Sequence, residues 1–225
     1  MDFMPNLNLA RDGAMLAPLA AKANLSHLFD LFAPLAPDHA GLRLVGLPGL
    51  AELLGVQGGI GAHVACHLGH HARPVRAILF DKSPAPNWAL GWHQDRTVAV
   101  KQRVEAEGFG PWTVKQGIPH VAPPMALLDR MITIRVHLDD VPEDNAPLLI
   151  APGSHVLGRI AEADIENVVE RCGTFTCTAK AGDIWLYATP ILHASDRAER
   201  PKHRRVLQVD YSVDALPDGL EWQGV

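Results

Sequence analysis

The chain is poor in several features, and each shortage excludes a class of function. No apolar run approaches the roughly 20 residues that cross a bilayer, so no membrane role is expected. There is no basic excess: 20 Lys and Arg against 25 Asp and Glu leave a net charge of −5, which gives no electrostatic case for nucleic acid. No block of like charge marks an interaction tail. The three cysteines, Cys66, Cys172 and Cys177, lack the tight spacing of a metal site, and reduced thiols in a cytoplasmic protein are the expectation. The opening MDFMPNLNLARDG has no basic stretch ahead of an apolar core, so no secretory signal is read. HExxH, a Gly-rich loop running into Lys-Ser/Thr and a Gly-x-Ser-x-Gly elbow are all missing. Their absence argues against a zinc hydrolase, a P-loop nucleotide enzyme and an α/β-hydrolase.

At 225 residues and 48% apolar content, the chain suits one sizeable domain with a core of its own. Eighteen Pro and nineteen Gly suggest many turns. Residues 11–35 read as helical, because Leu16, Leu19, Ala20, Leu25, Leu28, Leu31 and Phe32 recur at helical spacing. A second helix is expected over 48–71, with glycines 55, 58, 59 and 61 able to break it. Strands are expected over 74–80, 90–95, 131–138, 148–151, 174–178, 183–188 and 204–212. Ser83 to Asn87 carries a turn signal. Helices followed by short strands and long loops predict a mainly β domain with flanking helices, a jelly roll. Residues 1–225 then form a single domain, with 1–73 a mainly helical part packing on a barrel of 74–212. The Gly/Pro-rich segment 108–124, with Trp112, Lys115 and His120, reads as a lid or wall of a pocket or as a plain structural loop.

The chemistry concentrates in Trp92-His93-Gln94-Asp95 and His193-Ala194-Ser195. In an extended strand, residues i and i+2 point the same way, so His93 and Asp95 can aim an imidazole and a carboxylate at one point. His193 would complete a two-His, one-carboxylate set, which leaves coordination positions open and suits non-haem Fe(II). A lone His-x-Asp among twelve His is weak. The apolar stretch leading to His193 strengthens it, since a strand that delivers a His to a rim is what a barrel-mouth site requires. Eleven residues after His193 comes Arg204, with Arg205 beside it. Alternation groups Arg204 with Val206, Gln208 and Asp210, and Arg205 with Leu207, Val209 and Tyr211; parity alone does not choose between them. A buried guanidinium needs a carboxylate partner. His63, His67, His70 and His71 share a helix side and read as a solvent-facing stripe. His155 reads as a loop-stabilising hydrogen bonder. Arg96, Lys82 and Arg135 are candidates for an anionic substrate or for ordinary ion pairs.

Phe80-Asp-Lys-Ser, Asn87-Trp88, Trp92-His-Gln-Asp95, Leu138-Asp-Asp140, Asn145-Ala-Pro-Leu, Pro152-Gly-Ser-His155, Gly182-Asp183, His193-Ala-Ser195 and Arg204 stand in an order that resembles the phytanoyl-CoA dioxygenase family over residues 74–212. The resemblance implies a double-stranded β-helix, Fe(II), and 2-oxoglutarate as cosubstrate. It makes His93, Asp95 and His193 the iron ligands. It assigns the far carboxylate of 2-oxoglutarate to Arg204 with help from Ser195, and the eleven-residue step selects Arg204 over Arg205. Ile78 and Phe80 would line the cosubstrate pocket, with Trp112 as the aromatic beside it. Asn145-Ala146 stands where Asn-Gly is more usual, a change expected to leave the chemistry untouched. The expected reaction is hydroxylation of a small molecule, with no visible CoA-binding patch. The alternatives are a cupin-like metalloenzyme without 2-oxoglutarate and a non-catalytic binder on the same barrel. Substrate identity and oligomeric state are not read from the sequence.

Overall fold

The computed structural model describes residues 6–35, 41–82 and 87–225. The turn expected at 83–87 lies outside the described residues but for Asn87, as does the side chain of Lys82. The helices are short: α1 (Leu9–Asp12), α2 (Leu25–Phe32), α3 (Leu50–Leu54), α4 (Gly61–Leu68), α5 (Met125–Leu128) and α6 (Ile165–Cys172). The early strands are β1 (Ala14–Ala17), β2 (Leu42–Leu44), β3 (Arg73–Lys82), β4 (Leu90–His93), β5 (Val98–Ala99), β6 (Trp112–Lys115) and β7 (Ile118–Val121). The later ones are β8 (Ile132–His137), β9 (Leu148–Ile150), β10 (Phe175–Cys177), β11 (Ile184–Ala188), β12 (His193–Ser195) and β13 (Arg204–Ser212).

A six-stranded sheet runs β1-β11-β8-β13-β3-β2 and a four-stranded sheet runs β10-β9-β12-β4. Neighbours in space are distant in sequence and every pairing is antiparallel, the pattern of a double-stranded β-helix. A small sheet, β5-β7-β6, flanks one end. Alternation gives the large sheet two faces. Leu79, Ile134, Val136, Leu186, Leu207 and Val209 pack against Leu28, Leu50, Leu54 and Val64 of the helices. The opposite face carries Arg76, Thr133, Arg135, His137, Gln208 and Asp210, all buried. β8 is buried at every position because it is covered on both faces. At one end of the sandwich, Trp185 and Tyr187 close the space between the sheets with Leu148, Ile150 and Cys177. Among the described residues no helix is long and apolar enough to cross a membrane.

Two of the expected helices differ. Over 11–35 only α2 is a substantial helix, and Ala14–Ala17 is a strand paired to β11 from Ala14↔Tyr187 to Ala17↔Ile184. Gly13, at φ 76, ends α1 and turns the chain into β1, against the ring of His155, where a Cβ would lie 2.4 Å from Nδ1. His155 therefore packs rather than hydrogen bonds. Nothing in Ala-Met-Leu-Ala favours a strand; the open edge of β11 imposes it. Over 48–71 the helix is broken as the glycines allow. A Cβ on Gly58 or Gly61 would come within 2.1 Å of a carbonyl oxygen of Glu52 or Leu54, so the α3–α4 corner admits only glycine. Tyr211 Oη donates to Leu54 O at 2.9 Å, capping the end of α3 from the sheet. The segment before residue 74 is thus more than a helical cover: β1 and β2 form both edges of the large sheet.

Candidate metal centre and its surroundings

β4 ends at His93 and β12 begins at His193, and the two residues are direct cross-strand partners. Their ring centroids lie 4.3 Å apart. Asp95 follows beyond the end of β4, so it is not held by strand geometry as the His-x-Asp spacing suggests. Gln94 holds it instead. The Gln94 side chain points the other way, donating to Gly158 O at 2.9 Å and Pro190 O at 2.8 Å and accepting from Ile160 N at 3.0 Å. That anchoring turns Asp95 back toward the two His. One ligand atom from each of His93, Asp95 and His193 lies within 4.8 Å of the others.

Both imidazoles are oriented from behind. His93 Nδ1 lies 2.8 Å from Gly91 O and His193 Nδ1 lies 3.0 Å from Ile191 O. A carbonyl can only accept, so Nδ1 carries the proton and Nε2 keeps its lone pair for a metal. Burial, then the neighbouring His93, pushes His193 down to about 4, so its imidazole is neutral near pH 7. Burial raises the Asp95 carboxyl, but Arg76 and the two His outweigh this and hold it below the usual carboxylate range. Two imidazoles tied through Nδ1 and one ionised carboxylate on one side of a point fit a divalent metal with open positions.

Arg76 is the residue behind that carboxylate. Its Nη2 donates to Asp95 Oδ2 at 3.2 Å and its Nε lies 2.6 Å from Asp210 Oδ2. Thr133 Oγ1 donates to Asp210 Oδ1 at 3.1 Å and meets Thr189 Oγ1 at 3.0 Å. Gln208 Nε2 reaches Asp95 Oδ2 at 3.4 Å. Arg76 shares the strand parity of Ile78 and Phe80, so alternation already held the signal that it faces the site.

Arg204 and Arg205 separate cleanly. Arg205 forms a two-point pair with Asp139, at 2.9 and 2.7 Å, and its guanidinium lies 4.7 Å above the Phe29 ring. Arg204 is 3% exposed, faces the inner side with Gln208 and Asp210, and has no carboxylate partner among the described residues. Its Nη1 donates to Ala146 O, Ser195 Oγ donates to the same oxygen at 3.3 Å, and its Nε is buried without an acceptor. Burial and the nearby Arg135 push Arg204 down to about 9. Ala146 sits at φ 53, a left-handed conformation that glycine adopts without strain. The Asn-Ala step therefore does touch the site: its carbonyl is where Arg204 and Ser195 meet.

Ile78 and Phe80 line a cleft of about 430 Å³ shared with His93, Asp95 and His193, and Arg135 lies 5.7 Å above the Phe80 ring. Trp112 is elsewhere. It packs against the Val98, Val121 and Leu127 cluster, with Arg103 5.4 Å above its ring, on the far side of the small sheet. Segment 108–124 is mostly the β6–β7 hairpin, turning at Gln116 (φ 51) and Gly117 (φ 77), and it presents Lys115 to the cleft. Its Gly and Pro residues mark hairpin ends, which the sequence alone did not distinguish from a loop. Of the His stripe, His67, His70 and His71 are exposed, and His63 Nε2 lies 3.2 Å from Ala20 O. Arg76 and Gln208, which no motif singles out, complete the surroundings of Asp95, and Arg43 and Lys115 line the outer part of the cleft.

The sequence model of the phytanoyl-CoA dioxygenase (PhyH) family matches residues 55–206. Curated protein sequences give no match. Among solved structures, EctD from S. alaskensis with 2-oxoglutarate and 5-hydroxyectoine is 20% identical, with a TM-score of 0.65 over 96% of this chain and 77% of that one. AviO1 from Streptomyces viridochromogenes Tue57 is 20% identical, with a TM-score of 0.60 over 93% of this chain and 94% of that one. HygX from Streptomyces hygroscopicus, with nickel and 2-oxoglutarate bound, is 15% identical, with a TM-score of 0.58 over 91% and 84%. At these identities the likeness is one of fold.

Proposed function

Since the chain belongs to the phytanoyl-CoA dioxygenase family, it is an iron- and 2-oxoglutarate-dependent dioxygenase, and we propose that His93, Asp95 and His193 hold the iron while Arg204 and Ser195 hold the cosubstrate. The reading is carried by one observation: three ligand atoms converge while both His Nδ1 atoms are tied to backbone carbonyls. The chemistry supplied by bound iron is oxygen activation coupled to decarboxylation of 2-oxoglutarate, with succinate and carbon dioxide released and a small molecule hydroxylated. The rest is the work of the chain. His93 and His193 present Nε2 lone pairs, and Asp95 stays ionised against Arg76. Arg204 offers a buried cation without an acid of its own among the described residues, which suits the far carboxylate of 2-oxoglutarate, and Ser195 adds a hydroxyl beside it. Ile78 and Phe80 supply an apolar wall that keeps water from the reacting atoms. A cytoplasmic location belongs to the same proposal, supported by the free thiols of Cys66, Cys172 and Cys177.

The test is anaerobic titration of the apo protein with Fe(II) and then 2-oxoglutarate, followed by the weak visible charge-transfer band of the chelate. The band is expected to form, and Arg204→Met is expected to raise the 2-oxoglutarate needed by tenfold or more. Iron binding without a band would instead mean a jelly-roll metalloenzyme that does not use 2-oxoglutarate. No iron binding at all would leave a binding protein on the same barrel.

A further inference from the structure

Two cations on the lip of this cleft have no acid partner among the described residues. Arg43 stands on β2 directly opposite Ile78 of β3, so its side chain leaves the sheet on the cleft face. Lys115 ends β6 at the tip of the β6–β7 hairpin. Gln116 fastens the two elements together: its Oε1 accepts from Arg43 N at 3.2 Å and its Nε2 donates to Gly41 O at 2.7 Å. Both side chains line the cleft that holds His93, Asp95 and His193. Neither makes an ion pair with any described residue, and Arg43 Nε is buried without an acceptor.

Such an arrangement is unfavourable on its own. Burial and then Arg76 depress Arg43; burial, Arg76 and Arg43 all act on Lys115, whose ammonium is also held below its ordinary range. Asp95 offsets part of this at Lys115. Asp95 is the one carboxylate among the lining residues, and it is committed to Arg76 and to the ligand set. Arg96 Nη2 donates to the neutral oxygens of Ile160 and Gln94, with its Nε buried and without an acceptor, and Arg135 donates to those of Tyr187 and Gln208. The cosubstrate does not reach Arg43 either. Arg204 pairs with Lys82 of β3 whereas Arg43 pairs with Ile78, a separation of about 13 Å along the strand and two strands across.

We propose that the substrate is an organic anion whose carboxylate or phosphate group docks between Arg43 and Lys115, with the carbon to be oxidised turned toward His93, Asp95 and His193. This rests on the iron-dependent reading of that site. Arg43 supplies a planar fork that matches two oxygens of the anion, and Lys115 a compact charge that needs no fixed geometry. A neutral analogue of the same shape would leave the half-buried Arg43 unpaired, which is how a polar site rejects it, and would forgo the attraction of Lys115, exposed at the end of β6.

The protein loaded anaerobically with Fe(II) and 2-oxoglutarate is titrated with a panel of monocarboxylates and phosphate monoesters, each paired with its primary amide or free alcohol. Binding is read by calorimetry and by the change in the visible band. Anions are expected to bind at least tenfold more tightly than their neutral partners, and more weakly as salt rises. Arg43→Gln and Lys115→Gln should each cost tenfold or more in anion affinity while the visible band still forms, and Arg43→Lys should recover part of the loss. The tighter series, carboxylate or phosphate, names the group. Neutral partners that bind as well as the anions, no anion binding, or anion affinity unchanged in the double Gln variant would overturn the inference and leave the iron-dependent reading standing. Failure of the band to form in the unaltered protein would bring down that reading and the inference with it.

Discussion

On β13, Leu207, Val209 and Tyr211 turn toward the helices while Arg204, Val206, Gln208 and Asp210 turn toward the second sheet. One strand thus serves two regions that obey different physics. The helix-facing side draws on apolar area, which is non-directional, so its residues exchange for others of similar volume at small cost. The cleft-facing side holds charges and amides whose worth depends on a partner at the right distance. A register slip of one residue would exchange the two sets, burying Arg204 and Asp210 against leucines. The cleft tolerates so many polar groups because most are paired: Arg76 with Asp95 and Asp210, Arg135 with Gln208 and Tyr187. Three cations without a carboxylate among the described residues, Arg204, Arg43 and Lys115, stand where ligands are proposed to bind.

The contrast can be broken most severely from the polar side. His193→Ala should abolish iron binding and turnover, read by the visible band and by succinate release, while circular dichroism shows the fold kept. A variant that retained full turnover would refute the ligand assignment. From the apolar side, Ile134→Ala should do the reverse. Ile134 is fully buried, and its truncation should cost about 3 kcal/mol in urea unfolding while the iron and 2-oxoglutarate band survives. Loss of the band in a folded protein would mean that the two faces are not independent.

Smaller changes sharpen the picture. Arg76→Met should weaken iron binding by about 10- to 100-fold, since it removes the partner that orients and ionises Asp95. Without Arg76, burial pushes the Asp95 carboxyl upward, so the loss should be larger in mildly acid than in neutral buffer; equal losses would mean that Arg76 only positions the carboxylate. His137 tests the polar face without touching the ligands. Burial, then Arg135 and Arg204, pushes it down to about 3 against an ordinary value near 6.5. The unfolded chain takes up a proton from about 6.5 downward and the folded one refuses it, so stability is full above that value and falls as pH drops toward 3. His137→Phe should flatten this slope in urea midpoints measured across the window, and an unchanged slope would acquit His137. The mildest change is Ala146→Gly. Relief of the left-handed backbone, less the chain entropy of glycine, should stabilise by about 0.5 kcal/mol in the same assay.

Much of the site was legible in the residues because its signals are local. His-x-Asp and the second His name a ligand set by chemistry. The parity of Arg76, Ile78 and Phe80 names a strand face. The long strands β8 and β13 announce themselves by β-branched residues and alternation. The resemblance puts Trp112 beside the cosubstrate, whereas the structure packs it in the cluster under the small sheet; a stretch of Gly, Pro and aromatic residues looks alike whether it lines a pocket or folds into a hairpin. Ala14–Ala17 was read as helix because leucine spacing is blind to an open sheet edge that arrives 170 residues later in the chain.

By itself the sequence determined which groups could bind a metal and an anion, and which residues share a strand face, since side-chain chemistry and the two-residue period are properties of a short stretch of chain. Strand parity left Arg204 and Arg205 open and only the resemblance chose between them; the tertiary structure separates them physically, giving Arg205 its own carboxylate and leaving Arg204 none among the described residues. It alone decided that Gln94 turns Asp95 inward, that His93 faces His193, and that a glutamine on a hairpin tip holds Lys115 beside Arg43. Each of these depends on pairing between segments far apart in the chain, and register across such distances is set by the whole packed core rather than by any one of its segments.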